Sequence, residues 1–163
     1  MKVIFVDFDD TIGLHEQSID NRNIIDWSDP RVLFENSNYA FRETILNTDL
    51  IDKFRVLKEK YKNNVKIIVL SMSGTYAVEK KKKWLNDMKC EDLFEDFIGL
   101  SVDLDKGQYI KAYESFYNVK PEDVILIDDA RKHLMEAKPF CHTYLPHMFT
   151  LKFEEITEQV INK

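Results

Sequence analysis

VIFVDFDDTI, residues 3–12, decides how the rest of the chain is read. Val3, Ile4, Phe5 and Val6 are all β-branched or aromatic, and they run without a polar break into Asp7, Asp9 and Asp10. A strand that is apolar on consecutive positions is buried on both faces, which points to a parallel sheet between layers of helices. We therefore expect a strand over residues 3–8. The same pattern recurs at residues 65–70, 97–102 and 124–127, and more weakly at 142–145.

Helical spacing fills the intervals. Leu50, Ile51, Phe54, Leu57 and Tyr61 line one face of a predicted helix over residues 50–61. Further helices are expected over 75–88, 108–117, 130–137 and 152–162. The alternation predicts a three-layer α/β sandwich with right-handed crossovers. Residues 13–48 break it. They carry Trp27, Phe34, Tyr39 and Phe41 without a clean period. A stretch this long inside a compact domain is usually functional or a small subdomain. We read it as a cap or flap insert over the end of the first strand, within one domain spanning 1–163.

The 163 residues are one domain's worth, 44% of them apolar, with a net charge of -6. That charge argues against broad binding to nucleic acid or to anionic membrane, which needs a basic surface. Cys90 and Cys141 make no disulfide framework and read as reduced packing thiols. The apolar run near Met1 is too short for a signal peptide core, and no stretch reaches the ~18 apolar residues of a membrane span. We expect a cytoplasmic protein.

Open α/β sheets bind ligands at the carboxyl ends of their strands. Asp7-Phe8-Asp9-Asp10-Thr11 follows the first strand and Ser71-Met72-Ser73-Gly74-Thr75 the second. Asp103-Leu104-Asp105-Lys106 follows the third and Asp128-Asp129 the fourth. Carboxylates converging on one rim repel unless a cation lies among them, and oxygen-only ligands suit Mg²⁺. Asp7 and Asp9 point to the same side of an extended segment, so one can attack while the other handles protons. The Ser71 hydroxyl and the backbone N–H groups that follow it, from Met72 on, suit a phosphoryl oxygen. The helix beginning near Thr75 adds its dipole. Lys106 can neutralise negative charge. These are the parts that phosphoryl transfer needs.

The pattern resembles the haloacid-dehalogenase-like superfamily. VIFVDFDDTI is similar to its first motif, an apolar strand followed by Asp-x-Asp-x-Thr. Ser71 after IIVL resembles the second, and Lys106 followed by VKPEDVILIDD the third and fourth. The resemblance implies a Rossmann-like sheet of order 5-4-1-2-3, Asp7 as nucleophile and Asp9 as general acid/base. It implies Mg²⁺ held by Asp7, the Asp9 backbone carbonyl, and Asp128 and Asp129, with Asp129 the more direct of that pair. The acid two places after the nucleophile marks the phosphatase branches. Asp10 stands where many members have glycine, and the fourth motif is a bare Asp128-Asp129 pair.

Lys81 rivals Lys106 for the third motif. We expect Lys81 to snorkel to solvent from its helix, and we keep Lys106. His142 and His147 read as surface or packing residues. A phospho-receiver domain is a rival from another class, but it needs an Asp at the end of a mid-chain strand, and Asp52 lies in a helical pattern. A catalytically inactive binding module is opposed by the intact Asp7/Asp9 pair. The expected substrate is a small phosphomonoester. A nucleoside monophosphate leads, because the paired acids and an aromatic lid resemble the 5'(3')-nucleotidases. A nucleic-acid end phosphatase is the alternative.

Overall fold

The computed structural model describes residues 1–15, 44–101 and 103–163. Trp27, Phe34, Tyr39 and Phe41 of the expected insert lie outside the described residues, as does Val102. The main sheet contains β1 (Lys2–Val6), β4 (Val65–Ser71), β5 (Asp96–Gly99), β6 (Val124–Ile127) and β7 (His142–Tyr144). A separate antiparallel pair, β2 (Gly13–His15) and β3 (Thr44–Leu46), flanks residues 16–43. Among the described residues the α-helices are α1 (Thr48–Tyr61), α2 (Thr75–Asp87), α3 (Lys106–Tyr117), α4 (Arg131–Ala137), α5 (Pro146–Leu151) and α6 (Phe153–Ile156).

The main sheet is parallel throughout, in the order β5-β4-β1-β6-β7. Counting only its own five strands, this is the expected 5-4-1-2-3 read from the opposite edge. β1 is the central strand, and alternation along it splits the core. Ile4 and Val6 face one layer, built from α1, α2, α5 and α6. Val3 and Phe5 face the other, built from α3 and α4. All five residues of β1 are buried, and burying each large apolar side chain contributes roughly 1.5–3 kcal/mol.

Three expectations need correction. The third strand ends at Gly99, not 102: Leu100 N–H still donates to the Ser71 carbonyl, 2.8 Å, and the chain then turns at Ser101. The chain beyond β7 holds an unexpected short helix, α5, opened by Pro146 at its first position; six residues are too few to show a helical period. The helix expected over 152–162 is α6 followed by one π-helical turn, Thr157–Ile161. Ile156, Val160 and Ile161 are all buried there. Among the described residues no helix is long and apolar enough to cross a membrane.

One close approach positions the functional rim. A Cβ on Gly107, the second residue of α3, would lie 2.3 Å from the Glu136 carbonyl oxygen and 2.7 Å from its carbon, both α4 backbone. Asp105 caps α3, accepting from Gln108 N–H at 3.1 Å. The cap and the bare glycine together set where Lys106 enters the core. Gly107→Ala should therefore destabilise the protein by about 1–3 kcal/mol through backbone displacement, read as a lower urea midpoint with unchanged slope.

Candidate active site

Parallel register assembles the rim. Val6 pairs with Val69 on one side and Ile127 on the other, so the residues that follow, Asp7, Leu70-Ser71 and Asp128, end at one level. The ladder runs one step past the strands: Asp7 N–H donates to the Ile127 carbonyl at 2.9 Å, and Asp128 N–H to the Tyr144 carbonyl at 3.2 Å. Beyond Asp7 the chain turns sharply. The N–H groups of Thr11, Ile12 and Gly13 all donate to the Phe8 carbonyl, and Asp10 adopts φ 56°. That left-handed conformation is one that Asp tolerates and Gly adopts freely. It accounts for a backbone position where the resemblance expects glycine.

Lys106 is the centre of the site. Its side chain is 0% exposed, and Nζ donates to Asp7 Oδ1 and Asp128 Oδ2, both at 2.6 Å. Asp128 also accepts from Ala130 N–H at 2.8 Å and lies 3.1 Å from His133 Nδ1. One ammonium serves two carboxylates, and they share it unequally. Burial alone would push the Asp128 carboxyl up, but the His133 hydrogen bond and the Lys106 charge outweigh it and hold Asp128 below the usual range. For Asp7, burial wins over the Lys106 charge, and Asp128 and Asp9 add to it, so its carboxyl is pushed up to about 7. Asp129, at the outer edge, is pushed up to about 6 by partial burial and by the charges of Asp128 and Asp10. Burial works against the Lys106 ammonium, yet Asp7 and Asp128 hold it above its ordinary value.

Single carboxylate oxygens of Asp7, Asp128 and Asp129 come within 4.8 Å of one another. Five carboxyl groups, Asp7, Asp9, Asp10, Asp128 and Asp129, gather here around the ammonium groups of Lys81 and Lys106. The surplus appears as the raised Asp7 and Asp129, whose repulsion by the neighbouring carboxylates a divalent cation would relieve. An all-oxygen set of this kind fits Mg²⁺.

Ser71, the last residue of β4, is buried, with Oγ 2.8 Å from Ser73 Oγ. Met72, of interest only for its backbone N–H, packs its side chain against the second core cluster. Helix α2 begins at Gly74 with no side-chain cap, and a Cβ there would meet open space. The capping residue itself thus offers its first N–H groups no side-chain acceptor, as at an anion site.

Lys81 corrects an expectation. It does not snorkel outward; it is 5% exposed and turns inward to Asp9 Oδ2 at 2.5 Å. A periodicity argument could assign it to the inner face of α2 but could not say that the top of that face meets the rim. His133 was missed altogether. The available signal was its place five residues after Asp128, within the first turn of α4, where its ring bonds back to the acid. Asp52, the receiver-domain candidate, lies within α1, and Cys90 and Cys141 are free thiols.

No protein-family model and no curated protein matches the chain. Solved structures are similar. A haloacid dehalogenase-like family hydrolase from Streptococcus pneumoniae superposes with a TM-score of 0.63 at 14% identity, over 89% of this chain and 84% of that one. A HAD family enzyme from Bacteroides thetaiotaomicron, solved in complex with magnesium and inorganic phosphate, gives 0.60 at 17% identity, over 91% and 95%. The HAD domain of the effector protein Lem4 from Legionella pneumophila gives 0.58 at 14%, over 98% and 95%. The fold is the haloacid-dehalogenase-like one.

The proton balance makes a thermal prediction. The folded pKa of Asp7, about 7, lies above its ordinary 3.8, so protonation favours the metal-free fold. That stability is complete in acid and lost as pH rises through about 7. His133, raised by its Asp128 bond against the opposing effect of burial, acts in the same direction. The metal-free melting temperature should fall from pH 5 toward pH 8, and added Mg²⁺ should raise it more at pH 8 than at pH 5, in thermal scans across that range. An Mg²⁺ gain independent of pH would contradict the assignment.

Proposed function

We propose that this haloacid-dehalogenase-like fold carries a magnesium-dependent phosphomonoester hydrolase working through an aspartyl-phosphate on Asp7. One observation carries the reading: the buried Lys106 ammonium joins Asp7 to Asp128 at 2.6 Å each, at the rim where Asp9, Ser71 and Asp129 also end. The magnesium and inorganic phosphate bound by the similar enzyme from Bacteroides thetaiotaomicron support the same chemistry here.

Asp7, Asp128, Asp129 and the Asp9 carbonyl would hold Mg²⁺, which neutralises Asp7 and the substrate phosphate so that the two can approach. An ionised Asp7 oxygen attacks phosphorus while the bond to the leaving oxygen breaks. Asp9 gives that oxygen a proton. A water then attacks the aspartyl-phosphate, Asp9 takes its proton, and the phosphorus–Asp7 bond breaks to release inorganic phosphate. Lys106, the Ser71 hydroxyl and the Met72 N–H hold the phosphoryl oxygens throughout. His133 keeps Asp128 ionised and oriented.

For the substrate we infer a nucleoside monophosphate in preference to a nucleic-acid end. The net charge of -6 disfavours a polynucleotide track. The β2–β3 pair starts directly after the Asp9–Asp10 turn, with Asn47 N–H donating to the Ile12 carbonyl at 2.8 Å, so the Gly13–Leu46 end of the pair stands beside the rim. Trp27 and Tyr39 are the candidates there for stacking on a base.

Hydrolysis of an aryl phosphate should need Mg²⁺ and stop in excess chelator. Asp7→Asn should abolish turnover while leaving the fold intact, read by circular dichroism. Asp9→Asn should cost about 10²–10⁴-fold in kcat/KM, which reads the phosphorylation step, on an alkyl phosphate and far less on an activated aryl ester, whose leaving group needs no proton. Full activity in chelator would remove the metal from the scheme. For the base contact, Trp27→Ala or Tyr39→Ala should lower the ratio of kcat/KM for a nucleotide over an aryl phosphate by roughly 5- to 150-fold, the equivalent of one stacked base. Parallel losses on both substrates, with early melting, would make those aromatics a structural core instead.

A further inference from the structure

Lys81 lies outside all four motif positions, yet it is buried at the rim. It sits on α2, in the layer opposite the one that supplies Lys106. Its Nζ donates to Asp9 Oδ2 at 2.5 Å, to Ser73 Oγ at 2.6 Å and to Ser71 Oγ at 3.3 Å, and it lies 5.1 Å from the centre of the Phe8 ring. An ammonium has three N–H donors and no acceptor, so these three partners saturate it. We propose that Lys81 is a positioning residue of the reaction: it holds the Asp9 carboxylate in place and ties it to the Ser71–Ser73 loop. The inference rests on the phosphatase reading above.

Stability alone does not account for this lysine. Its side chain leaves water almost completely, whereas that of Asp9 remains 45% exposed and does not need the pair for solvation. An apolar residue of similar volume would fill the site without the desolvation cost of an ammonium. What the ammonium supplies is geometry. It fixes one oxygen of a half-exposed carboxylate.

It also sets the direction of the serine hydroxyls. Lys81 only donates, so Ser71 and Ser73 must both accept from it. Two hydroxyl protons remain, and the 2.8 Å contact between the two Oγ atoms uses one. The other is left to point at a further acceptor, and a phosphoryl oxygen at the rim is such an acceptor. Lys81 thereby links the group that handles the proton to the loop that holds the phosphate.

The test is a double-mutant cycle on the full chain. Lys81→Met, near in volume and uncharged, is measured alone and with Asp9→Asn. The two substrates are an alkyl phosphate and 2,4-dinitrophenyl phosphate, whose leaving group departs without a proton. Lys81→Met should lower kcat/KM, which reads the phosphorylation step alone, on the order of 10²-fold for the alkyl ester, with a much smaller loss for the dinitrophenyl ester. In the Asp9→Asn background the same change should add no more than about 2-fold, because its target is already gone. Lys81→Arg should recover part of the alkyl-ester rate. Ser73→Ala removes one anchor without touching the charge, and should show the same leaving-group bias at smaller size, which keeps the test decisive if Lys81→Met does not fold. Equal losses on both esters, or full additivity with Asp9→Asn, overturn the positioning role. A wild-type protein inactive on both esters overturns the phosphatase reading instead, a result distinct from an active enzyme whose variants lose both rates equally.

Discussion

The Lys106 ammonium, with no surface exposed to water, is held between Asp7 and Asp128 at 2.6 Å from each. A charge removed from solvent must be paired and fully bonded, because breaking such a cluster costs far more than it contributes when intact. That requirement reaches through the fold. It demands that β1 and β6 end at the same level, which their parallel register ensures. It demands that α3 start where its first side chain can reach between them, which the Asp105 cap and the close approach at Gly107 ensure. The sheet, the cap and the helix contact are conditions for one ion cluster.

Within the cluster, the number of donors decides which carboxylate stays charged. Asp128 has Lys106, the Ala130 N–H and His133; Asp7 has Lys106 from the described side chains and the adjacent charges of Asp128 and Asp9 against it. Two carboxyl groups 121 positions apart in the chain thus differ in acidity for a local reason. The same logic divides the rim between its lysines. Lys106 arrives from the α3 side and meets Asp7; Lys81 arrives from the α2 side and meets Asp9. Different surroundings for two acids only two residues apart are what a division between attack and proton transfer requires.

The turn after β1 makes this separation feasible. Three N–H groups converge on the Phe8 carbonyl, Asp10 takes a left-handed φ, and the chain reverses into β2 within six residues of Asp7. The reversal sends Asp9 away from the ladder, half exposed, while Asp7 remains inside it. It also brings the Gly13–Leu46 end of the β2–β3 pair to the rim. Asp tolerates that φ better than most side chains, and its carboxylate adds to the surplus negative charge that raises Asp129.

The layered α/β sheet was legible in the chain because fully buried strands need unbroken apolar runs, and Val3–Val6 and Val124–Ile127 could not be exposed on either face. The acids of the rim were legible for a related reason: in a parallel sheet, residues just after such runs must gather at one edge. Short elements escaped. α5 and the π turn leave no period long enough to read, and the end of β5 depends on where Ser71 ceases to pair. Side-chain partnerships escaped as well. Sequence spacing assigns Lys81 to the inner face of a helix, but only the docking of α2 on Phe8, where Trp84 lies 5.5 Å from the ring, aims it at Asp9. His133 is one polar residue in a short helix until its ring is seen against Asp128. Periodicity specifies which face of an element is buried; which two faces meet, and so which charges pair, is set by packing between elements far apart in the chain.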